Sequence, residues 1–136
     1  KGNKMMKEQD IIIPREKEKE PKKILIIDDD ESIIEVTKCA IKHYFPNNSD
    51  IYIIQCINLN EAKKAIDEYE PDVLFFDHFL NGNVGFEILE YAREKGIKEN
   101  YAITGNSSFD QEYAERKVKK IGKVFIIETI EEILKK

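Results

Sequence analysis

Residues 24–32 read ILIIDDDES: four branched aliphatic residues run straight into three aspartates and a glutamate. The apolar run has the length of a buried strand. The charge marks where that strand must leave the interior, because carboxylates are costly to bury without partners. Four runs of the same kind follow: IYIIQC (51–56), VLFF (73–76), YAIT (101–104) and VFII (124–127). Most are apolar on both faces, as in a sheet covered on both sides. Between the runs, apolar residues recur three and four apart, which is the spacing of one helix face. Ile33, Thr37, Ile41 and Tyr44 form the first such series, and Leu59, Ala62, Ile66 and Tyr69 the second. Phe86, Leu89 and Ala92 form a third, and Ala114, Val118 and Ile121 a fourth. TIEEILKK (129–136) closes the chain as a short fifth helix. Strand and helix alternating five times predict an α/β fold with a doubly wound, five-stranded parallel sheet and helices on both faces.

The 136 residues suffice for one domain. Residues 1–22, with the alternating charges of REKEKEPKK around a single apolar stretch, IIIP, are expected to be a disordered tail or linker. The folded domain is expected over residues 23–136. Residues 1–23 carry +3 and the remainder −8, within the overall −5. An acidic body speaks against nucleic-acid binding by this domain. The apolar runs are too short to span a membrane. Cys39 and Cys56 show no metal-ligand spacing, which suits a reducing, cytoplasmic setting.

In open parallel sheets the functional site lies beyond the carboxyl ends of the strands, at the switch in strand order. The first run ends in Asp28, Asp29 and Asp30, the third in Asp77, the fourth in Thr104 and the fifth in Glu128. Asp28, Asp29 and Asp77 can therefore converge. Three close carboxylates do not all stay ionised without a cation, and oxygen ligands with room for water suit Mg²⁺. Asp30 is assigned to the start of the first helix, where aspartate caps free backbone N–H groups. His43 and His78 lack partners at ligand spacing, and His78 is expected at the rim of the pocket.

Residues 23–136 resemble the receiver domain of bacterial response regulators, the phospho-accepting part of two-component signalling. KKILIIDDDES is similar to the family's first strand and acidic pair, and PDVLFFDHFLNGNVGFEILEYAR to its phosphorylation segment. Gly85, eight residues after Asp77, matches the glycine that opens the third helix, and ITGNS supplies a hydroxyl at the end of strand four. The resemblance implies a flavodoxin-like (βα)₅ fold. It implies Asp77 as phosphoacceptor, with Mg²⁺ held by Asp28, Asp29, Asp77 and the backbone carbonyl of Phe79. It also implies Thr104 as the hydroxyl that bonds a phosphoryl oxygen, and Phe125 as the strand-five aromatic that turns inward with it. That pair would change the surface of the fourth helix. The implied partners are a histidine kinase or phosphotransfer protein and a downstream protein target, with homodimerisation left open. Beyond self-phosphorylation from phosphodonors and slow self-dephosphorylation, no enzymatic activity is implied.

One position departs from the family, which places a lysine at the end of strand five. Counting from Phe125, that place falls to Glu128, while Lys123 precedes the run VFII and would lie at its far end. A fourth carboxylate would leave the site at −2 even with Mg²⁺ bound. This motivates an alternative, a receiver fold that works without phosphorylation as an interaction module. A third reading, a phosphatase with an aspartyl nucleophile, would need a second aspartate two residues after Asp77, where Phe79 stands. Lys117, Lys119 and Lys120 are expected to be a solvated face, with a partner patch as the alternative.

Overall fold

The computed structural model describes residues 20–45, 51–78, 85–104 and 109–135. Five parallel strands form one sheet: β1 (Lys22–Ile27), β2 (Ile51–Cys56), β3 (Val73–Phe76), β4 (Glu99–Ile103) and β5 (Lys119–Ile121), in the order β2-β1-β3-β4-β5. Five helices alternate with them: α1 (Glu31–Tyr44), α2 (Leu59–Tyr69), α3 (Phe86–Glu94), α4 (Asp110–Glu115) and α5 (Ile126–Lys135). This is the doubly wound, flavodoxin-like α/β fold. Residues 1–19, within the expected tail, lie outside the described residues, as do Phe79 and Gly105.

Strand alternation builds two apolar layers. Ile24, Ile26, Val73 and Phe75 pack with Ile34 and Ile41 of α1 and with Ile126, Ile130 and Ile133 of α5. Leu25, Ile27, Leu74 and Phe76 face the opposite way, onto Ala62 and Ile66 of α2, Ile88 and Leu89 of α3, and Tyr113 of α4. Ile24–Ile27 of β1 and Val73–Phe76 of β3 thus bury their side chains on one face or the other, so these two strands read as unbroken apolar runs. The order reverses between β1 and β3, which pair in the register Ile27↔Phe76. The residues after both strands therefore emerge side by side at the switch point.

The C-terminal expectations need correction. VFII is not a strand: Lys123–Phe125 form a 3-10 turn, and Ile126 and Ile127 begin α5. Ile126, Ile130 and Ile133, four and three apart, are the buried face of that helix. The apolar run was its first turn, and so short a run carries no period of its own. The true fifth strand is the edge segment KKI, with Lys119 exposed and Lys120 and Ile121 half-buried. Lysines on an edge strand discourage pairing with another chain, and they also erase the apolar signature of a strand. The fourth helix is likewise shorter than its expected series. It ends at Glu115, its buried residue is Tyr113 and Ala114 is exposed. Lys117 turns left-handed (φ 58°), with Val118 N–H donating to Tyr113 O and Lys117 N–H to Ala114 O, a Schellman closure.

Candidate functional site

The backbone ladder carries Asp28 and Asp77 to the same level beyond the sheet: Asp28 N–H donates to Cys56 O at 3.1 Å and Asp77 N–H to Ile27 O at 2.9 Å. Both residues are buried, while Asp29 is exposed. One carboxylate oxygen from each of Asp28, Asp29 and Asp77 lies within 4.8 Å of the others. Asp30 takes the expected helix-start role as N-cap of α1, its Oδ1 accepting from Ser32 N–H at 3.0 Å and Ser32 Oγ at 2.6 Å. Asp30 N–H also donates to Asp28 Oδ1 at 2.9 Å, which fixes the neighbouring carboxylate.

Lys123 is the cation of this site. Its Nζ lies 3.0 Å from Asp28 Oδ2 and 3.5 Å from Asp77 Oδ2. The sequence reading that put this lysine at the wrong end of strand five is thereby overturned. Because β5 ends at Ile121, Lys123 follows the strand by two residues. Gly122 and the 3-10 turn then aim it back over the carboxylates. Glu128 stands exposed in the first turn of α5 and is no replacement for it. Phe125 also leaves its expected place: it belongs to the 3-10 turn and is half-exposed, and β5 carries no aromatic. The signal that could have placed the lysine is Gly122, a turn residue between KKI and the amphipathic run.

The electrostatics follow from burial. Desolvation raises the Asp28 carboxyl above the ordinary aspartate value, against the hydrogen bond from Asp30 N–H and the pairing with Lys123, while the nearby Asp77 charge adds to the rise. Burial would lower the Lys123 ammonium, but pairing with Asp28 and Asp77 overrides it and holds this lysine above its usual value. Three carboxylates beside one ammonium leave two negative charges in excess, the charge one divalent cation cancels. Asp28 Oδ2 is fully buried, with Lys123 Nζ 3.0 Å away as its counter-charge. The all-oxygen set of three converging carboxylates fits a hard cation.

Two further residues frame the site. Thr104, buried at the end of β4, donates its N–H to Ile121 O at 3.0 Å; the register Phe76↔Ala102 sets it one residue beyond the level of Asp77. Gly85, N-cap of α3, donates its N–H to His78 O at 2.7 Å. A Cβ at Gly85 would sit 2.7 Å from Phe76 Cδ2 and 3.2 Å from His78 Cα, so this close approach requires glycine. His78 is not at the rim. Alternation continues past β3, and its ring lies buried among Phe86, Phe109 and Tyr113, with Nδ1 hydrogen-bonded to the Tyr113 hydroxyl. Burial lowers the His78 pKa, partly offset by the Asp77 and Glu112 charges.

The sequence matches no protein-family model, and no curated protein matches it. Solved structures do match. The signal receiver domain of a DNA-binding response regulator from Colwellia psychrerythraea 34H is 22% identical, with a TM-score of 0.69 over 84% of this chain and 98% of that one. A CheY-like response regulator receiver domain from Methanospirillum hungatei JF-1 is 22% identical, with a TM-score of 0.68 over 85% and 94%. A Burkholderia pseudomallei response regulator, solved with a phosphorylated aspartic acid, a calcium ion and citrate, is 18% identical, with a TM-score of 0.67 over 80% of this chain and 64% of that one.

Proposed function

From the receiver fold these neighbours share, we propose that the chain is a cytoplasmic signalling module that accepts a phosphoryl group on Asp77, with Mg²⁺, from a histidine kinase or phosphotransfer protein. The observation that carries this reading is the placement of Asp28 and Asp77 side by side at the switch point with Lys123 reaching both. A carboxylate oxygen of Asp77 attacks phosphorus and the bond from phosphorus to the donor's imidazole nitrogen breaks. The electron pair departs with the imidazole, leaving an acyl phosphate on Asp77. Asp28, Asp29 and Asp77, with the Phe79 carbonyl that the family resemblance adds, would hold Mg²⁺, which supplies positive charge beside the transferring oxygens. Lys123, charged and already within 3.5 Å of Asp77, is the chain's own cation for those oxygens. Thr104 offers a hydroxyl from the neighbouring strand.

In support of this reading, the Burkholderia pseudomallei response regulator that shares the fold was solved with a phosphorylated aspartic acid and a calcium ion. The phosphorylation-independent alternative rested on Glu128 and loses its basis with that residue outside the site. The module does not turn over substrate beyond its own modification and slow hydrolysis, and its output is a changed surface read by a downstream protein. Incubation with Mg²⁺ and acetyl phosphate should add the mass of one phosphoryl group to the wild type and none to Asp77→Ala. An unmodified wild type at saturating donor rejects the reading.

A further inference from the structure

The helix whose surface is expected to change, α4, is built to be held from outside. Six residues are too few for a stable isolated helix. Both of its boundaries hold non-glycine residues in the left-handed region, Phe109 at φ 69° and Lys117 at φ 58°. A Cβ makes that conformation unfavourable, so neither end favours the helix by local preference. Its buried anchor is Tyr113, 1% exposed, whose hydroxyl meets Nδ1 of His78. Asp110 pairs with Lys120 of β5, and the Arg116 guanidinium stacks 4.1 Å from the centroid of Phe86. Of these ties, the Tyr113–His78 bond reaches the residue that directly follows Asp77, and the Tyr113 ring also packs against Phe76 of β3, 6.0 Å between centroids.

His78 is peptide-bonded to Asp77, and its carbonyl accepts from Gly85 N–H. The imidazole sits 4.0 Å from the Phe109 ring centroid and 5.4 Å from that of Tyr113. Movement of the backbone after Asp77 therefore carries the imidazole with it, against both the first turn of α4 and the residue before it. β5 offers no aromatic to do this, and Phe125 is turned away.

We propose that the His78–Tyr113 hydrogen bond, within the His78, Phe86, Phe109 and Tyr113 ring cluster, is the coupling element that passes the state of Asp77 to α4. The coupling rests on Asp77 being the acceptor. It is a two-ended device: the acceptor segment biases α4, and by reciprocity anything that binds α4 biases the acceptor segment.

The test is amide NMR of the full chain before and after acetyl phosphate with Mg²⁺, with intact mass followed in parallel. In the wild type, phosphorylation should move the signals of residues 28–30 and of residues 109–118. Tyr113→Phe keeps the ring and removes the hydroxyl, while His78→Phe breaks the same bond from the other side, so one serves if the other fails to fold. In either variant the mass gain and the changes at residues 28–30 should persist, and the α4 changes should fall about fivefold or more. A mass gain with undiminished α4 changes in the folded variants overturns the coupling alone. No mass gain in the wild type overturns the acceptor reading, and the coupling with it.

Discussion

Strands β1 and β3 bury Ile24–Ile27 and Val73–Phe76 completely, whereas β5 is three residues long and leaves Lys119 exposed. The same site draws its carboxylates from the first pair and its cation from beyond the third. The acidic half is positioned by packing on two faces and by a continuous backbone ladder, so Asp28 and Asp77 stand where the core puts them. The cationic half is positioned by Gly122 and a 3-10 turn, and Lys123 reaches in on a flexible stem. The difference teaches that this site combines a rigid carboxylate platform with an adjustable counter-charge. For the proposed phosphoryl transfer, a charge on such a stem can follow the group from donor to acceptor.

Several substitutions can break or sharpen that contrast. The largest effect belongs to the rigid half: Asp77→Asn, nearly isosteric, should abolish phosphoryl incorporation by intact mass while leaving thermal unfolding two-state. Next comes the pH dependence of the platform. The proposed Mg²⁺ site needs Asp28 ionised, and burial raises the pKa of that carboxyl. Affinity measured by calorimetry should therefore fall as pH drops through that raised value, by up to about tenfold per pH unit from this one group, with proton release on binding. Without metal the sign reverses. Because the folded pKa of Asp28 exceeds the unfolded one, its contribution to stability is present below the ordinary aspartate value and is lost as pH rises through the raised value. Affinity that does not change on acidification from neutral pH would place the metal elsewhere.

A smaller effect tests the packing around the acceptor. Gly85→Ala forces a methyl against Phe76 and should lower stability by about 1–3 kcal/mol in urea titration. A neutral result would show that Phe76 and the His78 backbone yield to the added methyl. The smallest effect is Glu128→Lys. Exposed on α5, this position should shift stability by no more than about 0.5 kcal/mol and leave the phosphorylation rate unchanged.

What the sequence discloses follows the same division. Strands buried on both faces write themselves as apolar runs, so β1 and β3 and the carboxylates of Asp28, Asp29 and Asp77 are legible; β2, an edge strand with Tyr52 and Gln55 exposed, is legible from its β-branched and aromatic residues. An edge strand of two lysines and an isoleucine writes nothing of the kind. Next to it, the first turn of an amphipathic helix imitates a strand over four residues. The resulting shift of a few residues exchanges the two ends of strand five, turning Lys123 from an outsider into the site's cation and Glu128 from its rival into a surface residue. The His78–Tyr113 contact is illegible for another reason. It joins residues 35 apart in sequence through tertiary packing, and no local pattern announces it.

The account stands most directly on Lys123. The measurement is the initial rate of phosphoryl incorporation from acetyl phosphate at saturating Mg²⁺, by intact mass, for the wild type and Lys123→Ala. Removing the cation that faces Asp77 should slow transfer by about a hundredfold or more. A Lys123→Ala protein that is modified at the wild-type rate would contradict the assignment of this lysine as the positive half of the site.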